Sequence, residues 1–460
     1  MKKNKYFGDK QFYKMVVAVA LPILIQNGIT NFVSLLDNIM VGRVGTEQMS
    51  GVAIVNQLMF VFNLALFGAV SGPGIFTAQY VGQKNDEGIR YTVRFKLIMA
   101  FSIFVLGVVT FLTMQDYLIS LFLHQQTEAL DLEATLKYAK EYLAIMLFGI
   151  FPFAITQAYS GTLRESGETK IPMYAGLSAV SVNLVLNYIL IFGHFGAPKM
   201  GVAGAALATV ISRYIETAIV IGWTHSHKER NAFAVGLYKS LYIPGHLVKK
   251  IIVKGTPLFL NEFLWSMGMS ALTQCYSTRG LEVIAAFNIS NTITNLFNVV
   301  LISMGSVVAI IIGQTLGSGD MENVVDTDRK LITLAVLSST SVAIIMAFLA
   351  PLFPLLYNTT EDIRGLAVVF IWIGAAFMPV GAFLNAAYFT IRSGGKTFVT
   401  FLFDSAYLWV IAWPVAYVLS RFTDLNVIPL YIIVLSLDFV KVLIGALMLK
   451  KRIWIHNLVA

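Results

Sequence analysis

Apolar runs of about 20 residues recur along the whole chain, and each is long enough to cross a hydrocarbon layer of about 30 Å as a helix. They fall near 15–41, 50–80, 95–114, 135–158, 171–193, 202–224, 252–276, 284–314, 331–353, 364–390, 398–420 and 427–449. A backbone inside lipid must satisfy its own polar groups, which leaves helices and closed barrels as the spanning forms. A barrel would show alternating segments of about ten residues instead. The runs therefore predict an all-α polytopic membrane protein with twelve transmembrane helices. Composition agrees, with 57% hydrophobic and 13% charged residues, against about 25% charged in a soluble domain. The basic stretch MKKNKYFGDK precedes a run that continues for a full span, so it reads as the start of an uncleaved first helix. The single cysteine, Cys275, excludes an intramolecular disulfide and a cysteine-cluster metal site. The six histidines (124, 194, 225, 227, 246 and 456) fall in loops or at helix ends and read as polar surface.

The one long interior connection, 225–251, separates six spans from six. It predicts an N-terminal lobe (1–224), a linker (225–251) and a C-terminal lobe (252–460). With both termini placed in the cytoplasm, 24 of the 33 Lys and Arg fall in inner segments and seven in outer ones. That asymmetry is a positive-inside signal. The net charge of +8 is thus spread over separate loops, whereas a nucleic-acid surface would gather it on one face. The expected location is the plasma (cytoplasmic) membrane, multi-pass, as a monomer among membrane lipids.

Shifting the sequence by 235 residues lays the first two spans on the seventh and eighth without a gap. Pro22 meets Pro257, Gly45 meets Gly280, and Asn56, Asn63, Gln79 and Gly82 meet Asn291, Asn298, Gln314 and Gly317. Such residues are scarce in membranes, so their coincidence weighs more than its number. RESGET at 164–169 similarly resembles RSGGKT at 392–397. Six spans is an even number, so both halves enter the membrane the same way. The expected relation is a pseudo-two-fold axis along the membrane normal, the design of parallel-repeat secondary transporters.

With Glu141 counted, like Lys137 and Lys140, in the outer segment at the start of the fourth run, five acids lie within spans: Asp37, Glu216, Glu262, Asp404 and Asp438. A charge at mid-membrane costs about 2.5–3.5 kcal/mol on insertion scales, so an unpaired one points to function. Glu216 follows Arg213 by three residues and Asp438 precedes Lys441 by three, a spacing that predicts two structural ion pairs. Asp37, Glu262 and Asp404 have no basic neighbour within four residues. The repeat aligns Asp37 with Leu272 and Glu262 with Asn27, so the two acids are not equivalent. Asp37 lies about 9 Å from the outer end of its helix and Glu262 about 12 Å from the inner end, at 1.5 Å per residue. A buried carboxylate can hold H+, Na+ or an organic cation and release it on neutralisation. Asn183, Asn187 and Thr209 offer oxygens to Asp37, where Na+ is a candidate but no tight metal site is expected. Asp404, Asn291 and Asn298 are second-lobe candidates. No resident cofactor is expected.

The stretches SLLDNIMVGRVG, GVAGAALAT (201–209), NLVLNYILIFG (183–193), AQYVGQ and IIGQTLG resemble the multidrug and toxic compound extrusion (MATE) family along the whole chain. The resemblance implies an antiporter that expels organic, often cationic, compounds while Na+ or H+ enters. In members coupled through the first lobe, it implies an aspartate in span 1, an Asn and an Asp one turn apart in span 5, and a Thr in span 6. Asp37, Asn183 and Thr209 match three of these, while Asn187 stands where the second aspartate belongs. That departure weakens a first-lobe Na+ site and favours H+. Glu262 resembles the span 7 glutamate of members coupled through the second lobe. Their further acid in span 10 is missing, since 365–391 holds none, and Asp404 is the candidate substitute.

A flippase for a lipid-linked or other amphiphilic substrate is the alternative. Such proteins often hold pyrophosphate with cleft arginines, whereas Arg213 and Lys441, the bases that lie away from the ends of the spans, each have an acid nearby. An enzyme is disfavoured by the lack of H-E-x-x-H and G-x-S-x-G, and SGGKT at 393–397 lacks the first glycine and the preceding strand of a P-loop. A channel is a third class, distinguished by flux that needs no counter-ion gradient.

Overall fold

A computed structural model of the chain describes residues 5–123, 132–357 and 359–459; His124 lies outside them. Twelve long helices run in chain order: α1 (Lys10–Gly42), α2 (Thr46–Gly82), α3 (Asp86–Leu123), α4 (Leu132–Glu165), α5 (Lys170–Phe192), α6 (Gly201–Ser226), α7 (Gly245–Ser277), α8 (Leu281–Gly317), α9 (Met321–Leu349), α10 (Glu361–Ser393), α11 (Thr397–Phe422) and α12 (Val427–Lys450). Eleven of them are long and apolar enough to cross a membrane. The other is α7, which has the length at 33 residues but carries Asn261 and Glu262 in its middle. The chain is thus a multi-pass, all-helical membrane protein. The repeat reappears as geometry. α7 begins and ends 235 residues after α1, and α8 does the same relative to α2.

The helices gather into two compact units. One comprises 25–77 and 86–249; the other comprises 1–24, 78–85 and 250–460. Two short pieces of the first half, the start of α1 and the end of α2, therefore pack with the second half.

The first-half unit is built on Val55, Leu66, Leu143, Ile150 and Ala206. Small residues let helices approach closely in lipid, and the buried Ala203, Ala205, Ala206 and Ala208 of GVAGAALAT serve that role on α6. The 225–249 part of the connection belongs to this unit and is ordered against α3. Arg94 donates to the carbonyls of Leu237 (2.9 Å), Gly236 (2.9 Å) and Tyr242 (3.0 Å). Arg90 donates to those of Phe233 and Ala232. Phe233 and Leu237 are buried beneath them. His225 departs from the plain-surface expectation: its Nε2 lies 2.9 Å from the Tyr159 hydroxyl, and its ring stacks on Tyr238.

In the second-half unit, Val16 and Ala20 of α1 pack with Val307, Ile311, Leu331 and Trp454. A second core joins Tyr276, Phe287, Phe370 and Tyr431. The ends of α2 and α8 cross here with reciprocal contacts. A Cβ on Gly82 would lie 2.0 Å from the Gln314 carbonyl oxygen, and one on Gly317 would lie 1.9 Å from that of Gln79. The C-terminal tail straps this crossing. Gln79 Nε2 donates to the carbonyls of Ser393 (2.9 Å) and His456 (3.3 Å), and Leu458 N donates to Gln79 Oε1 at 2.7 Å. Gly394 of SGGKT passes so close to the tail that a Cβ would meet the Trp454 carbonyl at 1.6 Å. The glycine pair that resembles a phosphate loop is a seat for the tail.

Two helices of this unit are irregular. α11 winds with i→i+5 hydrogen bonds over Leu402–Ala406 and Leu408–Ala412, a geometry often found at functional sites. α12 breaks at Leu437 into Val427–Ser436 and Asp438–Lys450. The Tyr407 hydroxyl donates to the Leu437 carbonyl at 2.7 Å, which also accepts from the backbone N–H of Val440 and Lys441.

Candidate functional site

Asp37 is half-buried near the end of α1 in the first-half unit. Its strongest partner comes from α5: Asn187 Nδ2 donates to Asp37 Oδ1 at 2.7 Å. Asn183, one turn earlier on α5, is read with its amide in the orientation that suits its neighbours. Its Nδ2 then donates to both Asp37 oxygens at 3.1 Å, and its Oδ1 accepts from the Thr209 hydroxyl on α6 at 3.2 Å. Asp37, Asn183, Asn187 and Thr209 thus form one cluster from three helices. Period 3.6 places Asn183 and Asn187 on one face of α5, and both are buried, Asn187 to 1% exposure. Asn187 Oδ1 is buried with no hydrogen-bond partner. The carboxylate therefore meets amide N–H groups, and an unused acceptor stands beside it. Tyr142 of α4 is buried beside this cluster. Nothing in the sequence sets Tyr142 apart from the other tyrosines.

The second cluster lies wholly in the second-half unit. The Tyr388 hydroxyl on α10 donates to Glu262 Oε1 at 3.3 Å. Asn261 Nδ2 on α7 donates to the Tyr388 hydroxyl at 3.3 Å and to Asp404 Oδ2 on α11 at 3.1 Å. The i→i+5 winding around Asp404 turns Ser405 onto Asn261: Ser405 N donates to Asn261 Oδ1 at 3.2 Å and its hydroxyl to the Asn261 carbonyl at 2.7 Å. Glu262 and Asp404 are so linked through two neutral residues that the sequence reading missed. The repeat held a clue for one of them, since Asn261 aligns with another amide, Gln26. Asn291 is exposed and Asn298 half-buried on α8, and neither hydrogen-bonds to the two acids.

The expected ion pairs are rearranged. Lys441 Nζ donates to Asp404 Oδ1 at 2.7 Å, across from α12 to α11, with both side chains largely buried. It does not pair with Asp438 three residues away. The break at Leu437 explains this. It leaves Asp438 in the first turn of its segment, where the helix end already favours a negative charge. Asp404 is therefore a neutralised acid. Arg213 turns from Glu216 to the Gly149 carbonyl (3.3 Å) and lies over the Phe153 ring at 4.8 Å. Glu216 sits in the combined field of Arg164 and Arg213, while Arg164 Nη2 donates to Gln26 Oε1 at 2.7 Å.

Among the described residues no group of three or more His, Cys, Asp or Glu side chains is placed to hold a metal ion. The Asp37 cluster supplies one carboxylate, and its amides face that carboxylate with nitrogen. Either amide can turn its oxygen or its nitrogen toward Asp37 by side-chain rotation, so the cluster can meet a proton or a cation at that carboxylate.

Two stretches, 22–189 and 257–418, match the family described as MatE. Among curated proteins, "Probable multidrug resistance protein NorM" of Thermotoga maritima is 29% identical over 426 residues, covering 91% of this chain and 88% of that one. "Probable multidrug resistance protein YoeA" of Bacillus subtilis is 25% identical over 419 residues, covering 90% and 88%. Among solved structures, "Crystal structure of MATE in complex with MaD3S" superimposes with a TM-score of 0.84 at 21% identity, over 97% of this chain and 96% of that one. "Outward-facing conformation of a multidrug resistance MATE family transporter of the MOP superfamily" gives 0.82 at 22% identity, over 97% and 96%. At such identities the likeness speaks for the fold.

Proposed function

The chain belongs to the MatE family, and from that premise we propose that it is a secondary active transporter that exports organic, cationic and amphipathic compounds in exchange for H+ or Na+ by alternating access. The family is one of transporters rather than enzymes, and the curated relatives carry multidrug-resistance names. The observation that carries the coupling is the cluster around Asp37, with Asn187 at 2.7 Å and Asn183 at 3.1 Å. A carboxylate placed in a membrane-spanning helix and held by neutral amides can change charge without breaking an ion pair, which suits it to pick up and release a cation. The missing second carboxylate at Asn187 favours H+ over Na+. Glu262 serves as a second coupling acid, distinct in partners and depth. Asp404 does not join it as a free ligand, because Lys441 neutralises it. The proposed setting is the plasma membrane with both termini cytoplasmic, as a monomer, with the coupling ion as cargo and no resident cofactor or nucleic-acid partner.

The test is transport of a fluorescent organic cation by purified protein in liposomes under imposed H+ or Na+ gradients. Gradient-driven movement is expected, and Asp37→Asn or Glu262→Gln should largely abolish it. Full activity in both variants sinks the coupling assignment. Equal flux with and without gradients identifies a channel or a flippase instead.

A further inference from the structure

We propose that Asp328 is a proton-binding site of the second-half unit, whose carboxyl takes up and releases a proton against the hydroxyl of Thr390. The inference is independent of the transport reading and concerns residues outside both clusters described above. Asp328 lies on α9, seven residues or about 10 Å from its start, and is 4% exposed. Its Oδ1 accepts from Thr390 Oγ1 of α10 at 2.5 Å. Among the described residues it forms no ion pair within 4.0 Å. Buried charges are ordinarily paired, because an uncompensated one is costly.

The internal repeat sharpens the point. Thr390 follows Thr162 by 228 residues, the offset that also relates Arg392 to Arg164. In the first-half unit Thr162 meets a buried cation: Lys96 Nζ donates to Thr162 Oγ1 at 3.1 Å and pairs with Glu165. The Thr162 hydroxyl in turn donates to the Ala158 carbonyl at 2.9 Å. In the second-half unit Lys96 is matched by Leu331, one turn beyond Asp328, and Glu165 by Ser393. The same hydroxyl position thus serves a neutralised ion pair in one half and a carboxyl without a counter-ion in the other.

The two halves display the two directions that such a hydroxyl can take. With Asp328 charged, the Thr390 hydroxyl donates to it across the 2.5 Å contact. When Asp328 binds a proton from water, its O–H donates to Thr390 Oγ1, and the Thr390 hydroxyl swings to the Ala386 carbonyl, the bond that Thr162 already makes to Ala158. One proton is gained, no ion pair is broken, and one hydroxyl turns. The charged and titratable neighbours are few. Arg329 follows Asp328 in the chain and acts on it electrostatically, and Asp326 is paired with Lys330 at 2.5 Å. From α10, Tyr388 is bonded to Glu262 and Arg392 acts on Glu262. From α1, α8 and the tail, the same core receives Val16, Val307, Ile311 and Trp454.

The test is infrared spectroscopy of the purified full-length protein from about pH 5 to about pH 9, the range that spans shifted carboxyl groups. A protonated-carboxyl band that appears as pH falls, is absent in Asp328→Asn, and titrates at higher pH in Thr390→Val but normally in Thr390→Ser is the expected result. Asp328→Asn spectra that match the wild type at every pH overturn the proposal, as does a band that Asp328→Asn removes but that never titrates. If Asp328→Asn does not fold, the Thr390→Val and Thr390→Ser pair decides: identical titrations in both overturn it. Because no transport is measured, failure of the efflux reading leaves this result standing.

Discussion

In the proposed coupling, Asn187 is the residue on which the choice of ion would turn. It stands where the resemblance calls for a second aspartate, and it donates to Asp37 at 2.7 Å. Asn187→Asp should add a carboxylate to the Asp37, Asn183 and Thr209 oxygens and make flux respond to a Na+ gradient. Flux that remains indifferent to Na+ in this variant would remove the argument for proton coupling. Asp404 and Lys441 form the other residue-scale test. Removing one member of a buried pair leaves a bare charge and typically costs about 3–5 kcal/mol. Lys441→Met should therefore lower thermal stability in detergent markedly, and Asp404→Asn/Lys441→Met should recover much of the loss, because the two effects are not additive. Asp37, Asn183, Asn187 and Thr209 were legible in the sequence because polar residues advertise themselves in apolar runs. The Asp404–Lys441 pair was not, since spacing along a chain sees only neighbours on one helix. Asp328 is hard to single out for a related reason: it lies just before the apolar run that begins near 331.

Elements were legible wherever composition or repetition spoke. The apolar runs located all twelve helices, and the 235-residue offset carries α1 onto α7 and α2 onto α8 end for end. The break of α12 at Leu437 was hidden because VLSLDFVK contains neither Pro nor Gly. What marks it is a tertiary contact, the Tyr407 hydroxyl on the Leu437 carbonyl, which spacing along the chain does not show. The 225–251 connection looked like a linker by composition, yet Arg94 gathers three of its carbonyls. Hydrogen bonds from a charged group contribute about 1.5–3 kcal/mol each. Arg94→Ala should accordingly raise amide hydrogen exchange across 232–242 while leaving α5 and α6 protected. Unchanged exchange there would show that Phe233 and Leu237 suffice to hold the segment. The α2–α8 crossing is equally specific: Gly317→Ala forces backbone apart, an overpacking typically worth about 1–3 kcal/mol, readable as a lowered melting temperature.

For the whole molecule, the distribution of Lys and Arg makes a directional statement. In a Cys275→Ser background, an impermeant thiol reagent added outside intact cells should label Lys199→Cys and spare Lys170→Cys. The reverse pattern would invert the orientation. The crossing of α2 and α8 bears on a different question, that of origin. Its contacts are isologous: Gly82 against Gln314 mirrors Gly317 against Gln79, and the two glycines, like the two glutamines, stand 235 positions apart. A surface that is complementary to its own copy is what a two-fold homodimer requires. A six-helix ancestor bearing one such helix end could have met a second copy of itself there before duplication joined the two. The glycines at 82 and 317 would then be the preserved seam of that earlier dimer.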